Sequence, residues 1–135
     1  TLSRNPSDYT PELSRRARGV DIWAALRSLG RRGVEDLIVR CCSHARRFAA
    51  GLAKAGYEIL NDVVLNQVLV SFGDDETTRR VIEEIQRDGT CWCGGTAWHG
   101  RGAMRISVCN WSTTETDVDV SLAAMLACAE RVRQA

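Results

Sequence analysis

The chain has 135 residues, of which 44% are hydrophobic and 26% are charged, as in an ordinary soluble globular domain. Its formal net charge of +1 gives no general attraction to nucleic acid or to an anionic membrane, and we expect neither as a partner. No segment approaches the ~20 consecutive apolar residues that a membrane-spanning helix needs. Three of the six cysteines fall in predicted helices, so we expect reduced, packed thiols and a cytoplasmic protein.

The N-terminal region divides into a predicted linker and a short amphipathic helix. Residues 1–13 contain both prolines, and we interpret them as a linker or as the remnant of a larger domain. Residues 14–135 are expected to form the folded domain. Its first helix ends at Gly30 and carries four apolar side chains on one side: Ile22, Trp23, Leu26 and Leu29.

The middle of the chain predicts a long helix and two strands. The helix begins at residues 31–34 and ends at residue 55, where Gly56 stops it. A short strand is predicted over residues 57–60. Residues 67–72 form a second strand whose apolar side chains alternate on one face: Val68, Val70 and Phe72.

The last part of the chain continues this pattern. A helix over 75–88 precedes a strand over 91–98, in which Gly94 and Gly95 indicate a bulge or a close backbone contact. Alternating apolar residues predict a fourth strand around residues 104–108. A capping box, formed either by Thr114 with Asp117 or by Ser112 with Glu115, is predicted to open a final helix. Short strands between helices favour an α+β fold, with an antiparallel sheet of three to four strands covered by helices on one face.

Cysteine and histidine residues are candidate site residues with simpler structural interpretations. On one strand, Cys91 and Cys93 would lie about 6.6 Å apart, too far for easy shared chelation, so we interpret them as packing residues rather than zinc ligands. His44 and His99 have no nucleophile or carboxylate at a diagnostic spacing and are interpreted as structural or solvated. We therefore predict no catalytic residue and no metal ligand in this chain.

Arginine pairs are a second candidate feature, since they are suited to bind phosphate. They alternate with acidic residues in a chain of nearly neutral charge, which favours solvated helical surfaces over a nucleic-acid interface. The pairs are Arg15-Arg16, Arg31-Arg32, Arg46-Arg47 and Arg79-Arg80.

Arg105 is a distinct case because of its place on the predicted fourth strand. If Met104, Ile106 and Val108 face the helices, Arg105 faces the opposite side of the sheet. A guanidinium there can bind both oxygens of a carboxylate through two parallel hydrogen bonds. The alternative is a solvated surface arginine, which the pattern alone favours.

Two segments of the chain carry a family resemblance. The first is Pro-Glu-Leu-Ser-Arg-Arg-Ala-Arg at residues 11–18, followed by Trp23, Leu26, Arg27 and Gly30. The second is Trp-His-Gly-Arg-Gly-Ala-Met-Arg-Ile-Ser at residues 98–107, with Thr-Thr-Glu-Thr-Asp-Val-Asp at 113–119. Together they make the chain, from about residue 11 to residue 133, resemble the group II pyridoxal-phosphate-dependent amino-acid decarboxylases.

This resemblance implies a specific fold and a partial role in catalysis. The chain would be the small C-terminal domain of the aspartate-aminotransferase-like (type I) fold, and the large domain that binds pyridoxal phosphate would be missing. The cofactor lysine of the family follows a histidine in an Asp-x-His-Lys pattern, which Lys54 does not match. No cofactor-binding residue is therefore assigned, and the fragment alone should be inactive.

One functional residue of the family corresponds to a position in this chain. Arg105 matches an arginine on a strand of the small domain that binds the α-carboxylate of the amino-acid substrate. The implied partners are the missing large domain, the amino-acid substrate and a second copy in a homodimer or higher oligomer. Two alternatives remain: an independent ferredoxin-like module that binds a small ligand or regulates, and a nucleic-acid-binding domain.

Overall fold

The structure is a computed structural model that describes residue 9 and residues 16–134. Apart from residue 9, the predicted linker lies outside the described residues, as do the first five residues of the first family-like segment. The chain divides into two compact units, Thr1–Glu35 and Asp36–Ala135. Within the described residues, the first unit contributes the beginning of one helix, and the second contains the strands and the remaining helices.

Helix α1 spans Arg18–Lys54 and is interrupted at Gly30. The backbone of Gly30 has φ 61° and ψ −176°, which a glycine adopts without the steric penalty of a Cβ atom. This break confirms the predicted end of a first helix at this residue. Before it, the apolar side chains are between 44% and 64% exposed: Val20, Ile22, Trp23, Leu26 and Leu29.

The second part of α1 ends in a glycine cap of the Schellman type. Gly56 has φ 92°, its N–H donates to the carbonyl of Ala53 at 3.0 Å, and Tyr57 N–H donates to the carbonyl of Leu52 at 3.1 Å. These bonds satisfy carbonyls that the end of the helix would otherwise leave unpaired. The predicted helix stop at Gly56 is therefore confirmed.

The second unit contains a four-stranded sheet in the order β1-β2-β4-β3, with every neighbouring pair antiparallel. The strands are β1 (Glu58–Ile59), β2 (Gln67–Ser71), β3 (Gly94–Trp98) and β4 (Arg101–Ser107). Helix α2 (Asp75–Asp88) connects β2 to β3, which run parallel with β4 between them. Ferredoxin-like folds contain such a split unit, but here β1 precedes it in the chain.

One face of the sheet packs on the helices and forms the core, which confirms the predicted α+β class. Val68 and Val70 of β2 and Met104 of β4 are fully buried against apolar residues of the helices. Burial of each large apolar side chain contributes roughly 1.5–3 kcal/mol. The apolar helix residues with the least exposure are Ala45, Leu52, Val81, Ile85, Val118, Met125 and Cys128.

Side-chain caps fix the starts of the two later helices. At α2, the Asp74 carboxylate accepts from Thr77 N–H at 2.6 Å. At α3 (Glu115–Gln134), Asp117 N–H donates to Thr114 Oγ1 at 3.2 Å while the Asp117 carboxylate accepts from Thr114 N–H at 2.8 Å. The predicted capping box is thus confirmed. Within residues 16–134, no helix combines the length and the apolar composition needed to cross a bilayer.

The strand predicted over 91–98 is shorter than expected and has no bulge. It begins only at Gly94, and Gly94 and Gly95 pair in continuous register with Arg105 and Met104. The side-chain amide of Gln86 donates to the carbonyl of Cys93 at 2.8 Å, so this carbonyl is satisfied without strand pairing. Of the two predicted alternatives for the glycine pair, the bulge is therefore wrong. As for a close contact, a Cβ atom at Gly95 would lie 3.6 Å from Cδ1 of Ile82, which is an ordinary van der Waals distance.

Candidate functional site

Strand β4 alternates between the core and the opposite side of the sheet. Met104 is fully buried and Ile106 is 6% exposed, whereas Arg105 and Ser107 between and beyond them are exposed. This is the two-residue period of a strand with one covered face. We call the side away from the helices the open face; the strand register assigns to it Glu58, Gln67, Leu69, Ser71, Gly94, Thr96, Trp98, Arg101, Ala103, Arg105 and Ser107.

Arg105 lies between an apolar side chain and a glycine on the open face. Its partner on β2 is Leu69, and its partner on β3 is Gly94. A Cβ atom at Gly94 would have no heavy atom within 4 Å, so the space on the β3 side of Arg105 is open. Within residues 16–134, the side chain of Arg105 forms neither a hydrogen bond nor an ion pair; only its backbone is paired, with the neighbouring strands. Its guanidinium is therefore accessible to a ligand from solvent.

Arg101, the other arginine on this strand, is in a different state. Its Nη1 and Nη2 atoms donate to the two carboxylate oxygens of Glu58 at 3.0 and 2.6 Å. These hydrogen bonds lower the pKa of Glu58 and raise the pKa of Arg101. The sequence alone did not predict this pair; its only signals were one acidic residue on β1 and two basic residues on β4.

The ion pair crosses the strand that separates its two partners. Glu58 is on β1 and Arg101 is on β4, with β2 between them. The small residues nearest this crossing are Ser71 and Ala103, which are only 3% and 1% exposed although they are on the open face. We attribute their burial to the two long side chains that extend over them.

No protein-family model matches this chain. The probable L-aspartate decarboxylase of Thermococcus gammatolerans is 35% identical over 91 residues, which are 67% of this chain and 22% of that protein. The histidine decarboxylase of Drosophila melanogaster is 29% identical over 108 residues, which are 78% of this chain and 13% of that protein.

A solved structure gives the same relation at the level of the fold. Oryza sativa TDC with PLP superposes with a TM-score of 0.80 over 94% of this chain and 30% of that chain, at 18% identity. The resemblance to the group II pyridoxal-phosphate-dependent decarboxylases is confirmed. The chain has the fold of their small domain and spans less than a quarter of the length of the two curated relatives.

Lys54 does not provide the decarboxylase family's cofactor lysine. It is exposed at the last position of α1, and the next residues turn away through the glycine cap. Its neighbours Ala53 and Ala55 do not match the Asp-x-His-Lys pattern of the family. Lys54 therefore does not match the position or the sequence context of a cofactor lysine.

The cysteine candidates Cys91 and Cys93 lie in partly or fully buried positions with raised pKa values. Cys93 is 3% exposed, its thiol lies 3.0 Å from the sulfur of Met104, and burial raises its pKa to about 12. Burial also raises the pKa of Cys91. A thiol that stays protonated is a poor nucleophile and a poor metal ligand. In the part of the chain that the structure describes, no three His, Cys, Asp or Glu side chains are placed to hold a metal ion.

The two histidines occupy structural positions. His44 is 7% exposed, and its Nε2 lies 3.1 Å from the carbonyl of Thr113, just before α3. His99 is at the tip of the β3–β4 hairpin with φ 48°, and its ring contacts Trp98 edge to face. Among residues 16–134, the described partners of the two rings are the Thr113 carbonyl for His44 and the Trp98 ring for His99.

The arginine pairs are partly neutralised by acidic residues. Arg79 forms ion pairs with Glu76 and Glu83 on α2, while Arg47 of α1 donates to both carboxylate oxygens of Asp119 on α3 at 2.7 Å. These arginines join helices or stabilise a helix surface. Of the basic side chains considered, Arg105 is the one placed on the open face without a carboxylate partner.

Proposed function

We propose that this chain is the small C-terminal domain of a larger pyridoxal-phosphate-dependent amino-acid decarboxylase. The sequence matches to decarboxylases and the fold shared with TDC support this proposal. The chain spans 22% and 13% of the curated relatives, which supports a parent protein with a further, larger domain. In the parent, pyridoxal phosphate would supply an electron sink for the carbanion formed when carbon dioxide leaves.

The role of this domain would be to bind the substrate carboxylate and to close the active site. The single observation that carries this proposal is Arg105, exposed on the open face, without a carboxylate partner and beside the empty space at Gly94. A guanidinium that approaches a carboxylate side-on forms two parallel hydrogen bonds, which fixes the orientation of the ligand as well as its position. Correct orientation of the reacting group lowers the barrier without chemistry by the domain itself.

The missing large domain would cover apolar surface that this chain exposes. The helix before Gly30 carries Trp23 at 64% and Ile22 at 61% exposure, and an uncovered apolar stripe of this kind is typical of an interaction surface. We propose that this stripe packs on the rest of the parent enzyme. The isolated chain should then self-associate, and light scattering that finds a monomer at high concentration would contradict this point.

The proposed division of labour is tested by adding pyridoxal phosphate to the purified chain. Because Lys54 is exposed and outside any cofactor site, we expect no stable cofactor absorbance to remain with the protein after gel filtration. The variant Lys54→Arg controls for random reaction of the only lysine in the chain. Stoichiometric, stable absorbance that is lost in Lys54→Arg would mean that the chain holds its own cofactor, and the proposal would be wrong.

A further inference from the structure

The open face presents two arginines in opposite states. Both Nη atoms of Arg101 donate hydrogen bonds to the Glu58 carboxylate, at 3.0 and 2.6 Å. The guanidinium of Arg105, in contrast, has no hydrogen-bond acceptor within the described residues. Both are on β4 and face the same side of the sheet, about 13 Å apart at ~3.3 Å per residue. Strand β4 therefore carries on its open face one guanidinium that is paired with a carboxylate, at Arg101, and one that is unpaired, at Arg105.

The ion pair at Arg101 depends on a single residue, Glu58, which lies on the edge strand β1. Glu58 pairs in register with Ser71 of β2, which separates β1 from β4. The two partners are thus two strand spacings apart, roughly 9.6 Å, and only long side chains can meet across that gap. By contrast, the register partners of Arg105 are Leu69 and Gly94, and neither can accept a hydrogen bond through its side chain.

A bare guanidinium at Arg101 would compete for the ligand of Arg105. Both arginines are exposed, and an exposed guanidinium binds carboxylates by the same paired hydrogen bonds wherever it is located. A carboxylate held at Arg101 would be about 13 Å from its proper place, too far for any group positioned relative to Arg105. An internal carboxylate reduces this competition because the fold keeps it beside the second guanidinium, whereas a ligand must come from solution.

We infer that Glu58 is a positioning residue that occupies Arg101 and thereby directs a small carboxylate ligand to Arg105. This inference rests on the proposed function, in which Arg105 binds the substrate carboxylate. Glu58 does not touch the ligand; it acts by making the neighbouring guanidinium unavailable. The ligand class is a small molecule with one free carboxylate.

Acetate is the probe, and the arginine Nε–H signals of the ¹⁵N-labelled chain are the readout. Sodium acetate is titrated against sodium chloride of equal ionic strength, at slightly acidic pH where these protons exchange slowly. The Arg101 and Arg105 signals are assigned from Arg101→Lys and Arg105→Lys. In the natural chain we expect an acetate-dependent shift for Arg105 and none for Arg101.

The variant Glu58→Gln should give Arg101 an acetate-dependent shift comparable to that of Arg105. The matched control is Glu76→Gln, which removes one negative charge from α2, where Glu76 pairs with Arg79 at 2.5 Å. This control should leave both open-face arginines as in the natural chain. Amide spectra confirm that each variant is folded, and Glu58→Asp, which keeps the carboxylate, should restore much of the protection of Arg101.

The possible results separate this inference from the proposed function. An Arg101 that shifts with acetate in the natural chain, or stays silent in Glu58→Gln, overturns the role of Glu58 even if Arg105 responds. An Arg105 that stays silent while Arg101 becomes responsive in Glu58→Gln supports the occupation by Glu58 but contradicts the proposed role of Arg105. If Arg101 shifts equally with acetate in Glu76→Gln and in Glu58→Gln, the shift results from the change in net charge alone, and the inference is overturned.

Discussion

The two faces of β4 place very different demands on the same strand. On the covered face, Met104 and Ile106 fill a core to which all of the helices contribute. On the open face, Arg101 and Arg105 are exposed, and Arg101 is paired with Glu58. Packing explains the residues of the first face, because each one fits a fixed volume. Packing does not explain the residues of the open face. These residues are explained by charge, since the Arg101 guanidinium is paired with Glu58 and the Arg105 guanidinium is available to a ligand.

The largest expected effect is on stability and concerns the covered face. Met104→Ala removes a fully buried side chain and should lower the free energy of unfolding by about 2–5 kcal/mol. Arg105→Ala on the opposite side should change it by less than about 0.5 kcal/mol. Urea denaturation followed by circular dichroism measures both. Similar losses for the two variants would mean that the open face is also part of the packed structure.

A second prediction compares two glycines, one in the covered layer and one on the open face. A Cβ atom at Gly51 would lie 2.2 Å from Cδ2 of Leu122, so Gly51→Ala should destabilise the fold by about 1–3 kcal/mol despite the higher helix propensity of alanine. At Gly94 the same change meets no atom within 4 Å and should stabilise the strand by about 0.5–1 kcal/mol.

The double variant Gly51→Ala with Leu122→Ala isolates the cause of the first effect. With the leucine side chain removed, Gly51→Ala should become neutral or stabilising in the same denaturation experiment. If alanine at position 51 stabilises the chain even with Leu122 present, the Leu122 side chain does not lie against Gly51 as described.

A smaller effect is expected at the start of α3. Thr114→Ala removes the hydroxyl that accepts from Asp117 N–H at 3.2 Å and should cost about 1 kcal/mol of unfolding free energy. Thr116→Ala, in the first turn of the same helix but outside the cap, is the matched control and should cost clearly less. Equal losses would indicate that helix propensity, rather than the cap, sets the stability there.

The smallest effect separates the two open-face arginines through pH. The hydrogen bonds from Arg101 lower the pKa of Glu58 below its unfolded value, so the ion pair stabilises the fold above that value. This stabilisation is lost as pH falls through the lowered folded pKa. We therefore expect Arg101→Met to reduce the acid dependence of the urea midpoint below about pH 4.3, while Arg105→Met leaves it unchanged. An equal change in the acid dependence of the two variants would show that this dependence does not come from the Glu58–Arg101 ion pair.

The sequence predicted the covered face of this molecule well and the open face only in part. Apolar alternation on β4 and the glycine caps at Gly30 and Gly56 depend on local patterns, so the helices, the core and the exposed side of Arg105 could be read directly. The pairing of Glu58 with Arg101 depends on strand order, which places β1 two strands from β4 and which no local pattern specifies.

The glycines at the start of β3 show the same limit. Two adjacent glycines in a strand pattern indicated a bulge, but the ladder is regular and Gly94 instead leaves space beside Arg105. The role of Gly94 depends on its cross-strand neighbour Arg105, which lies eleven residues later in the chain. The register between β3 and β4 therefore determines the role of Gly94, and this register could not be predicted from the sequence alone.

The most direct test of the account is the activity of the full-length gene product that contains this chain. It is assayed for carbon dioxide release from a panel of amino acids, as the natural protein and as Arg105→Met. Loss of charged hydrogen bonds to the substrate predicts a fall in kcat/KM of about 10- to 100-fold, with cofactor absorbance and thermal stability unchanged. Decarboxylation that is unaffected by Arg105→Met, or no decarboxylation of any amino acid by the natural protein, would contradict the account.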